Sequence, residues 1–334
     1  MLRFGIFSVV DHYPAELPRT SGQFFGELLE QVTAAEQLGF DSFWVAEHHF
    51  HEYGAIPSPP IWLAAAAQRT KRIRLGSAVV VLPFRNPLQV AEDYAMVDVL
   101  SGGRLNLGAG SGYLRHEFEG FGVSVEEKRD RFDEALDIVL RAWTGERFTY
   151  EGRFHTVRDV QLNVVPLQRP RPPVWIAVLR NEAAAHVGKR GFPMMMIPYA
   201  TTEKLPELVE TVAGFRDAFV AAGGDLKDAT VPFGLHAYCA DSFERATAEA
   251  KIAMDRYVRT RLYAKQRPYE LLIEKNLIAF GSPEDVVRVA RLYEQAGLTD
   301  FLAITNFGGL AHAKVLRSME LMAKHVLPAF RPRP

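Results

Sequence analysis

The residues best suited to chemistry in this sequence are the carboxyl and imidazole groups of the stretch Ala46-Glu47-His48-His49-Phe50-His51. The stretch directly follows Ser42-Phe43-Trp44-Val45, an apolar run with the length and composition of a buried strand. Imidazole gains and loses a proton near neutral pH, so it can serve as a general acid or base at a strand end. We predict His48 as the proton-transfer residue, with Glu47 and His49 either orienting it or facing the core. Imidazoles on a solvated loop are the alternative.

Apolar runs of strand length recur along the whole sequence and alternate with amphipathic runs of helix length. The strand-like runs do not alternate polar with apolar residues, which indicates strands buried on both faces. In the helix-like runs, such as 132–143 and 205–219, apolar residues recur every three or four positions. This order predicts an α/β fold of the (β/α)8 TIM barrel type, with an open sheet carrying a cap domain as the alternative. The predicted strands are 4–7, 42–46, 75–82, 105–109, 174–178, 194–197, 233–238 and 301–304.

Two stretches interrupt this alternation. Residues 148–166 contain Gly152 between two strand-like arms, which predicts a β-hairpin inserted before the fifth barrel strand. Residues 241–280 are too long for a plain connection and predict a helical lid segment over an anionic ligand. A solvated, charged helix face is the alternative. The basic and aromatic side chains of this segment include Arg256, Arg259, Arg261, Tyr263, Lys265 and Arg267.

Composition narrows the classes of partner. The 334 residues include 39 basic and 40 acidic side chains mixed along the chain, which leaves no long basic stripe for nucleic acid or an anionic membrane. Cys239 is the only cysteine, which excludes an intrachain disulfide and a cysteine-based metal site. No run reaches the length of a membrane span, and the N-terminus lacks a secretory signal. We expect a cytoplasmic protein with one domain over residues 1–330 and a frayed tail at 331–334.

Two loops that follow predicted strands offer backbone amides and guanidinium groups to an anion. In the first, residues 108–113 read Gly-Ala-Gly-Ser-Gly-Tyr, so bare backbone at Ser111 and Gly112 would approach a ligand closely. This is neither a Walker loop nor a dinucleotide fingerprint, and a tight turn is the alternative. Ser124 is predicted to cap the helix that carries Arg129. The second loop, after residue 178, adds Arg180.

Taken together, these residues resemble the bacterial luciferase-like family of flavin-dependent oxidoreductases over essentially the whole sequence. Each matching piece is weak alone, but their number and their order along the chain are specific. The matching pieces are Phe4-Gly5-Ile6-Phe7, Glu47-His48-His49-Phe50, Gly76-Ser77-Ala78, Val81-Leu82-Pro83, Asn86-Pro87, Ala91-Glu92, Ser101-Gly102-Gly103-Arg104, Phe118 with Phe121-Gly122, and Gly281-Ser282-Pro283-Glu284.

The resemblance implies a barrel that binds reduced flavin mononucleotide (FMN), reacts it with dioxygen to a C4a-peroxyflavin and inserts one oxygen atom into a small organic substrate. His48 matches the active-site histidine of the family, and Arg129 matches a phosphate-binding arginine. The strand end Ser77-Ala78-Val79 matches the place where a non-proline cis peptide supports the flavin ring, so the Ala78–Val79 bond is predicted to be cis. The other predicted cofactor contacts are Phe7, Ser111, Gly112, Tyr113, Leu179 and Arg180.

The sequence also departs from luciferase. Gly110 and Ser111 stand where luciferase has a reactive cysteine and an arginine, and Arg180 stands where it has a serine. We expect Arg180 to replace the missing guanidinium, and the departures give no support for light emission from a long-chain aldehyde. A separate flavin reductase is a candidate partner beside the substrate and dioxygen, and a homodimer is the family habit.

Three other functions stay open at this point. In the first, the cofactor is the deazaflavin F420, a hydride carrier. In the second, the protein is a flavin-binding subunit without catalysis. In the third, it is a metal-dependent hydrolase in which His48, His49 or His51 binds zinc together with Asp11, His12 or Glu47. The favoured prediction contains no metal.

Overall fold

The computed structural model describes residues 1–202, 204–261 and 266–331. Strands and helices alternate through most of the chain, as the apolar patterning predicts. The strands are β1 (Arg3–Ser8), β2 (Ser42–Val45), β3 (Arg74–Val81), β4 (Leu105–Gly110), β5 (Phe148–Glu151), β6 (Thr156–Val160), β7 (Val174–Val178), β8 (Met194–Met196), β9 (Pro232–Cys239), β10 (Ala279–Gly281) and β11 (Asp300–Ile304). The α-helices are α1 (Ser21–Leu38), α2 (Pro59–Arg69), α3 (Pro87–Ser101), α4 (Arg115–Phe121), α5 (Lys128–Ala142), α6 (Glu182–Lys189), α7 (Pro198–Thr201), α8 (Leu205–Ala221), α9 (Phe243–Thr260), α10 (Tyr269–Glu274), α11 (Pro283–Gln295) and α12 (His312–Leu321).

Eight parallel strands close into a barrel. They pair in the order β1-β2-β3-β4-β7-β8-β9-β11, and β11 pairs with β1 to complete the ring. This confirms the predicted (β/α)8 TIM barrel, and the alternative of an open sheet is wrong. Strand β10 was not predicted, because it has only three residues; it pairs with the end of β9 outside the ring.

Small residues on the barrel strands make room for large neighbours. A Cβ atom on Gly76 would lie 2.2 Å from Cε3 of Trp44, and one on Gly110 would lie 2.6 Å from Cγ2 of Val79. Since carbon atoms in contact stay roughly 3.5 Å or more apart, both positions exclude any larger residue unless the neighbour moves. Glycine at these two positions therefore allows the side chains of Trp44 and Val79 to pack closely against the neighbouring strand.

The predicted hairpin is confirmed, but its second arm ends at Val160 and does not extend to residue 166. Strands β5 and β6 pair antiparallel before the fifth barrel strand, β7. The carboxylate of Glu134 on α5 accepts the backbone N–H groups of Arg153 at 2.8 Å, Phe154 at 3.0 Å and His155 at 2.6 Å. These bonds fix the hairpin turn on α5, since an ionised acceptor strengthens each of them.

Arg153 at the hairpin turn also reaches the first turn of α5. Its guanidinium donates to Glu127 at 3.0 Å and to Asp130 at 3.1 Å.

The predicted cap of this helix is wrong: α5 begins at Lys128, and the Ser124 hydroxyl donates to the side chain of Glu126 at 2.5 Å instead of accepting a backbone N–H. A capped start does occur at α11, where the side chain of Ser282 accepts the N–H of Asp285.

The predicted lid segment contains the two helices α9 and α10. The inner face of α9 is buried through Ala250, Met254 and Tyr257. Tyr263 and Lys265 of this segment, like residues 332–334 of the predicted tail, lie outside the described residues. Whether the segment opens and closes stays a prediction.

Buried polar bonds tie the amino-terminal side of the barrel together. The guanidinium of Arg104, in the motif 101–104, donates all of its N–H groups to oxygen atoms at distances of 2.6–3.1 Å. Four of these oxygen atoms belong to backbone carbonyls. Its acceptors are the carbonyls of Ala67, Thr70, Ile73 and Ser101 and the hydroxyl of Thr70.

Across the described ranges, no helix combines the length and the apolar composition needed to cross a bilayer.

Candidate functional site

A cavity of about 830 Å³ opens at the carboxyl ends of the barrel strands. This volume is in the range of sites that enclose a small molecule or cofactor. His49 and Ser77, two of the predicted site residues, are not in its wall: both are buried elsewhere. The predicted residues that do line it are Phe7, Glu47, His48, Ala78, Val79, Ser111, Gly112, Tyr113, Arg129, Leu179 and Arg180.

His48 lies in the wall of the cavity with a partner at each ring nitrogen. Nδ1 is 3.1 Å from Oε1 of Glu117, and Nε2 is 3.5 Å from the hydroxyl of Tyr113. The ring of Tyr53 packs against the imidazole with centroids 4.6 Å apart. Burial lowers the pKa of His48 below its ordinary value of 6.5, although the hydrogen bond and charge of Glu117 act in the opposite direction. His48 is therefore neutral near pH 7 and able to accept a proton.

Glu47 and His49 do not contact His48 and instead bond to each other. Oε1 of Glu47 is 3.0 Å from Nε2 of His49 and accepts Nε of Arg85 at 2.9 Å. Glu47 also borders the cavity, whereas His49 does not. Of the two predicted roles for Glu47 and His49, the structure favours packing in the core over orienting His48.

The predicted cis peptide between Ala78 and Val79 is confirmed. It lies where the pairing of β3 with β4 shifts register, and both residues line the cavity. Ser77 lies just before it and donates its hydroxyl to the carbonyl of Gly108 at 3.0 Å, which explains why its side chain is turned away from the cavity. Gly110 leaves space for the side chain of Val79.

Three basic side chains line the outer end of the cavity: Lys128, Arg129 and Arg180. Within the described chain, none of the three forms an ion pair with a carboxylate. Burial lowers the pKa of Lys128, and the nearby charges of Arg180 and Arg129 lower it further. Asp133 is also in the wall, but Arg190 neutralises it through an ion pair. Glu182 also lines the cavity, so three basic side chains and one carboxylate without an ion pair among the described residues leave an excess of positive charge that suits an anion.

The prediction from sequence did not include Lys128, Tyr53 or Glu117. Lys128 stands directly before Arg129, so the basic pair itself was a usable signal. Tyr53 follows the histidine stretch and carries no motif. Glu117 is 69 residues from His48, and nothing in the local sequence connects the two.

A metal site is not formed by the histidine stretch. Within the ranges that the structure describes, no three His, Cys, Asp or Glu side chains come together in a way that could hold a metal ion. Oδ2 of Asp11 accepts the backbone N–H of Gly308 at 2.6 Å, and His12 bonds to the carbonyl of Arg19. The side chains proposed as zinc ligands thus have other partners.

Comparison with known proteins relates most of the chain to one family. A model of the family described as luciferase-like monooxygenase matches residues 2–279. The solved structure of monooxygenase RslO1 from Streptomyces bottropensis superposes with a TM-score of 0.92 and is 31% identical, covering 99% of this chain and 100% of that one.

The names of the relatives mention two different cofactors, a flavin and F420. The oxygenase component of flavin-dependent trigonelline monooxygenase from Acinetobacter baylyi is 25% identical over 352 residues, 98% of this chain and 96% of its own. An F420-dependent glucose-6-phosphate dehydrogenase of Amycolatopsis mediterranei is 26% identical over 336 residues, 94% of this chain and 97% of its own.

Proposed function

Because the chain belongs to the luciferase-like monooxygenase family, we propose that this oxidoreductase binds reduced FMN and uses dioxygen to oxidise a small organic molecule. The observation that carries the proposal is the group of Lys128, Arg129 and Arg180 at one end of a cavity that has His48 in its wall. A flavin phosphate is a dianion, and a flavin ring is flat and largely apolar. The cavity offers a matching surface for each part.

The residues present fit FMN in both of its parts. Lys128, Arg129 and Arg180 would hold the phosphate by charge-assisted hydrogen bonds, together with the backbone of Ser111. The ring would lie against the Ala78–Val79 peptide, and apolar side chains complete the wall on the far side of the barrel. These apolar side chains are Phe7, Met195, Met196 and Leu302.

Reduced FMN would supply two electrons, with which one atom of dioxygen enters the substrate and the other leaves as water. The chain's own contribution is to hold and move protons and to exclude water. Nε2 of His48 is the atom that would accept or deliver a proton, because Nδ1 bonds to Glu117. The closely packed aromatic rings of Tyr53 and Tyr113 shield this nitrogen from bulk solvent.

The source of the reduced cofactor is the second part of the proposal. A relative is named as the oxygenase component of a flavin-dependent monooxygenase. We extend this to the present chain and propose that a separate flavin reductase supplies reduced FMN. A homodimer stays a prediction.

F420 is the second candidate cofactor, since F420-dependent dehydrogenases are among the relatives. The same cavity would then support hydride transfer without dioxygen. The two cofactors differ in an observable way, because reduced flavin reacts with air whereas a deazaflavin is a hydride carrier.

Titration of the purified protein with FMN, riboflavin and F420 tests the proposal. We expect FMN to bind more tightly than riboflavin, which lacks the phosphate, and we expect Arg129→Ala to weaken FMN by roughly 10- to 100-fold, the effect of losing one hydrogen bond to a charged group. Riboflavin affinity should stay unchanged in this variant. Arg131→Ala is the matched control, since Arg131 bonds to Glu127 and is not in the cavity wall.

Two results would contradict the proposal. If FMN and riboflavin bind equally, the basic group does not hold a phosphate. If only F420 binds, the cofactor assignment is wrong and the second candidate takes its place.

A further inference from the structure

We propose that Glu117 is the positioning residue of His48: it holds the proton on Nδ1 and so leaves the lone pair on Nε2, which lies 3.5 Å from the hydroxyl of Tyr113 in the cavity wall. This inference rests on the proposed function, because it describes the proton-transfer group of the same site. It also goes beyond that function, since it names a residue outside the histidine stretch that decides which nitrogen of His48 can react.

The geometry of the carboxylate leaves little freedom to the imidazole. Oε1 of Glu117 is 3.1 Å from Nδ1 of His48 and 2.9 Å from the backbone nitrogen of His49. The side chains of Glu117 and His48 are only 2% and 8% exposed, so water does not compete for these bonds. An ionised carboxylate can only accept hydrogen bonds. Nδ1 must therefore carry the proton, and neutral His48 has its lone pair on Nε2.

The helix that carries Glu117 is itself attached to the histidine stretch. His116 donates from Nε2 to the carbonyl oxygen of His49 at 3.0 Å, beside the bond that His49 makes to Glu117. On the other side, Phe118 packs edge-on against Phe84 with ring centroids 4.8 Å apart. These contacts fix the position of Glu117 relative to β2. The carboxylate of Glu117 therefore sets the orientation of the His48 imidazole, which could otherwise rotate about its side-chain bonds.

The neighbouring acid cannot replace Glu117 in this role. The oxygens of Glu47 bond to His49 and Arg85, and its weaker contact is to the backbone nitrogen of Val81 at 3.4 Å. Among the charged groups that act on His48, Glu117 has the largest favourable effect on the protonated ring; Arg261 opposes protonation, and Glu47 favours it more weakly. The phenols of Tyr53 and Tyr113 are the other titratable groups against the ring.

The charge of Glu117 also affects proton transfer at Nε2 of His48. When Nε2 accepts a proton, the imidazolium is stabilised by the negative charge of Glu117 on the opposite nitrogen. Replacing Glu117 by Gln keeps an oxygen acceptor of the same size but removes the charge. The ring should then be a weaker base, although the fold and the cavity are retained.

Two variants and one control separate this role from a structural one. Glu117→Gln removes the charge, Glu117→Asp keeps it but shortens the side chain, and Glu119→Gln changes an exposed acid that pairs with Arg115 on the same helix. The state of His48 is read by nitrogen NMR of the imidazole in the protein without cofactor. Reoxidation of bound reduced FMN in air is then followed as a function of pH, which requires no knowledge of the substrate.

We expect the unsubstituted protein and Glu119→Gln to show the tautomer with the proton on Nδ1. In Glu117→Gln, the titration midpoint of His48 and the pH dependence of reoxidation should both move to lower pH, with the reoxidation rate changed roughly 10-fold or more. Glu117→Asp should recover part of the shift. Thermal unfolding and FMN affinity close to those of the unsubstituted protein would establish that the variants fold.

Two results would overturn the inference: a proton on Nε2 in the unsubstituted protein, or an unchanged His48 titration in a folded Glu117→Gln. Failure of FMN to bind would reject the proposed function alone, because the tautomer is measured without cofactor. Normal FMN binding with an unaltered His48 would reject only the role of Glu117.

Discussion

Oε1 of Glu47 lies 3.0 Å from Nε2 of His49, so the two residues that flank His48 in sequence bond to each other and leave the residue between them to a different acid. The pair is buried, and Arg85 completes it from the loop after β3. The histidine stretch therefore has two functions: one side secures the strand end in the core, and the other presents His48 to the cavity.

The buried pair predicts a loss of stability when its charge is removed. Glu47→Gln should lower the free energy of unfolding by about 2 kcal/mol, because the hydrogen bonds to the charged Arg85 weaken. Chemical denaturation measures this change, with the exposed Glu52→Gln as the control. Equal losses in the two variants would show that the pair does not stabilise the strand end.

His48 should matter for chemistry and not for binding. His48→Ala is expected to retain FMN affinity within a few fold but to slow reaction of the bound reduced cofactor with air, or turnover of a substrate once one is found, by roughly 100-fold or more. Stopped-flow absorbance follows the reaction, and His325→Ala, at an exposed position near the C-terminus, serves as the control. A variant that reacts at the normal rate would remove His48 from the mechanism.

Arg104 should be irreplaceable even by lysine. The guanidinium bonds to several carbonyl oxygens in a planar fork that an ammonium group cannot match. Arg104→Lys is expected to lower the free energy of unfolding by about 3 kcal/mol through buried acceptors left without donors. The exposed Arg69→Lys is the control, and similar denaturation curves for the two variants would contradict this account.

The lowered pKa of Glu134 predicts that the stability of the fold depends on pH. Burial alone would raise its pKa, but the hydrogen bonds from His155, Phe154 and Arg153 together hold the pKa below its ordinary value of 4.5. A pKa depressed in the folded state contributes stability that is present above the unfolded value and is lost as pH falls through the folded value. Unfolding measured from about pH 6 to about pH 3 should therefore weaken less steeply in Glu134→Gln than in the unsubstituted protein. Glu146→Gln, an exposed change near the hairpin, should keep the original slope.

Gly110 should be sensitive to a single methyl group. In Gly110→Ala the new Cβ would lie 2.6 Å from Cγ2 of Val79, so the side chain of Val79, which lines the cavity, must shift. We expect a loss of about 1–3 kcal/mol in stability and weaker FMN binding. Gly214→Ala in α8 meets no atom within 4 Å and should be neutral or stabilising in thermal unfolding. Unchanged FMN affinity in Gly110→Ala would argue against a ring seated at this peptide.

The barrel could be predicted from sequence because its strands are continuous apolar runs, and burial on both faces produces that pattern directly. Strand β10 was missed, since three residues are too few to form a pattern. The Ser124 cap was wrong because its Ser-x-x-Glu spacing also suits a loop, where the hydroxyl bonds to Glu126.

The residues of the candidate site that could be predicted are those that a strand end, a helix end or the family resemblance singles out, although they lie far apart in the sequence. His48, Arg129 and the Ala78–Val79 peptide stand at strand or helix ends and could be named from their positions and from the family resemblance. The partner of His48 could not be named, because the fold brings Glu117 to it from a helix 69 residues away. For Glu47 the sequence left two roles open, and the bonds of its carboxylate to His49 and Arg85 favour the core.

The inserted hairpin influences a cavity that none of its residues from 148 to 160 lines. Its Arg153 engages Glu127 and Asp130, the acids on either side of Lys128 and Arg129. Those two carboxylates are thereby occupied by a cation from outside the cavity, and they are not available to compensate the two basic side chains inside it. Arg153 of the insertion is thus a counterion to Glu127 and Asp130. Lys128 and Arg129 keep their excess of positive charge for the proposed phosphate dianion.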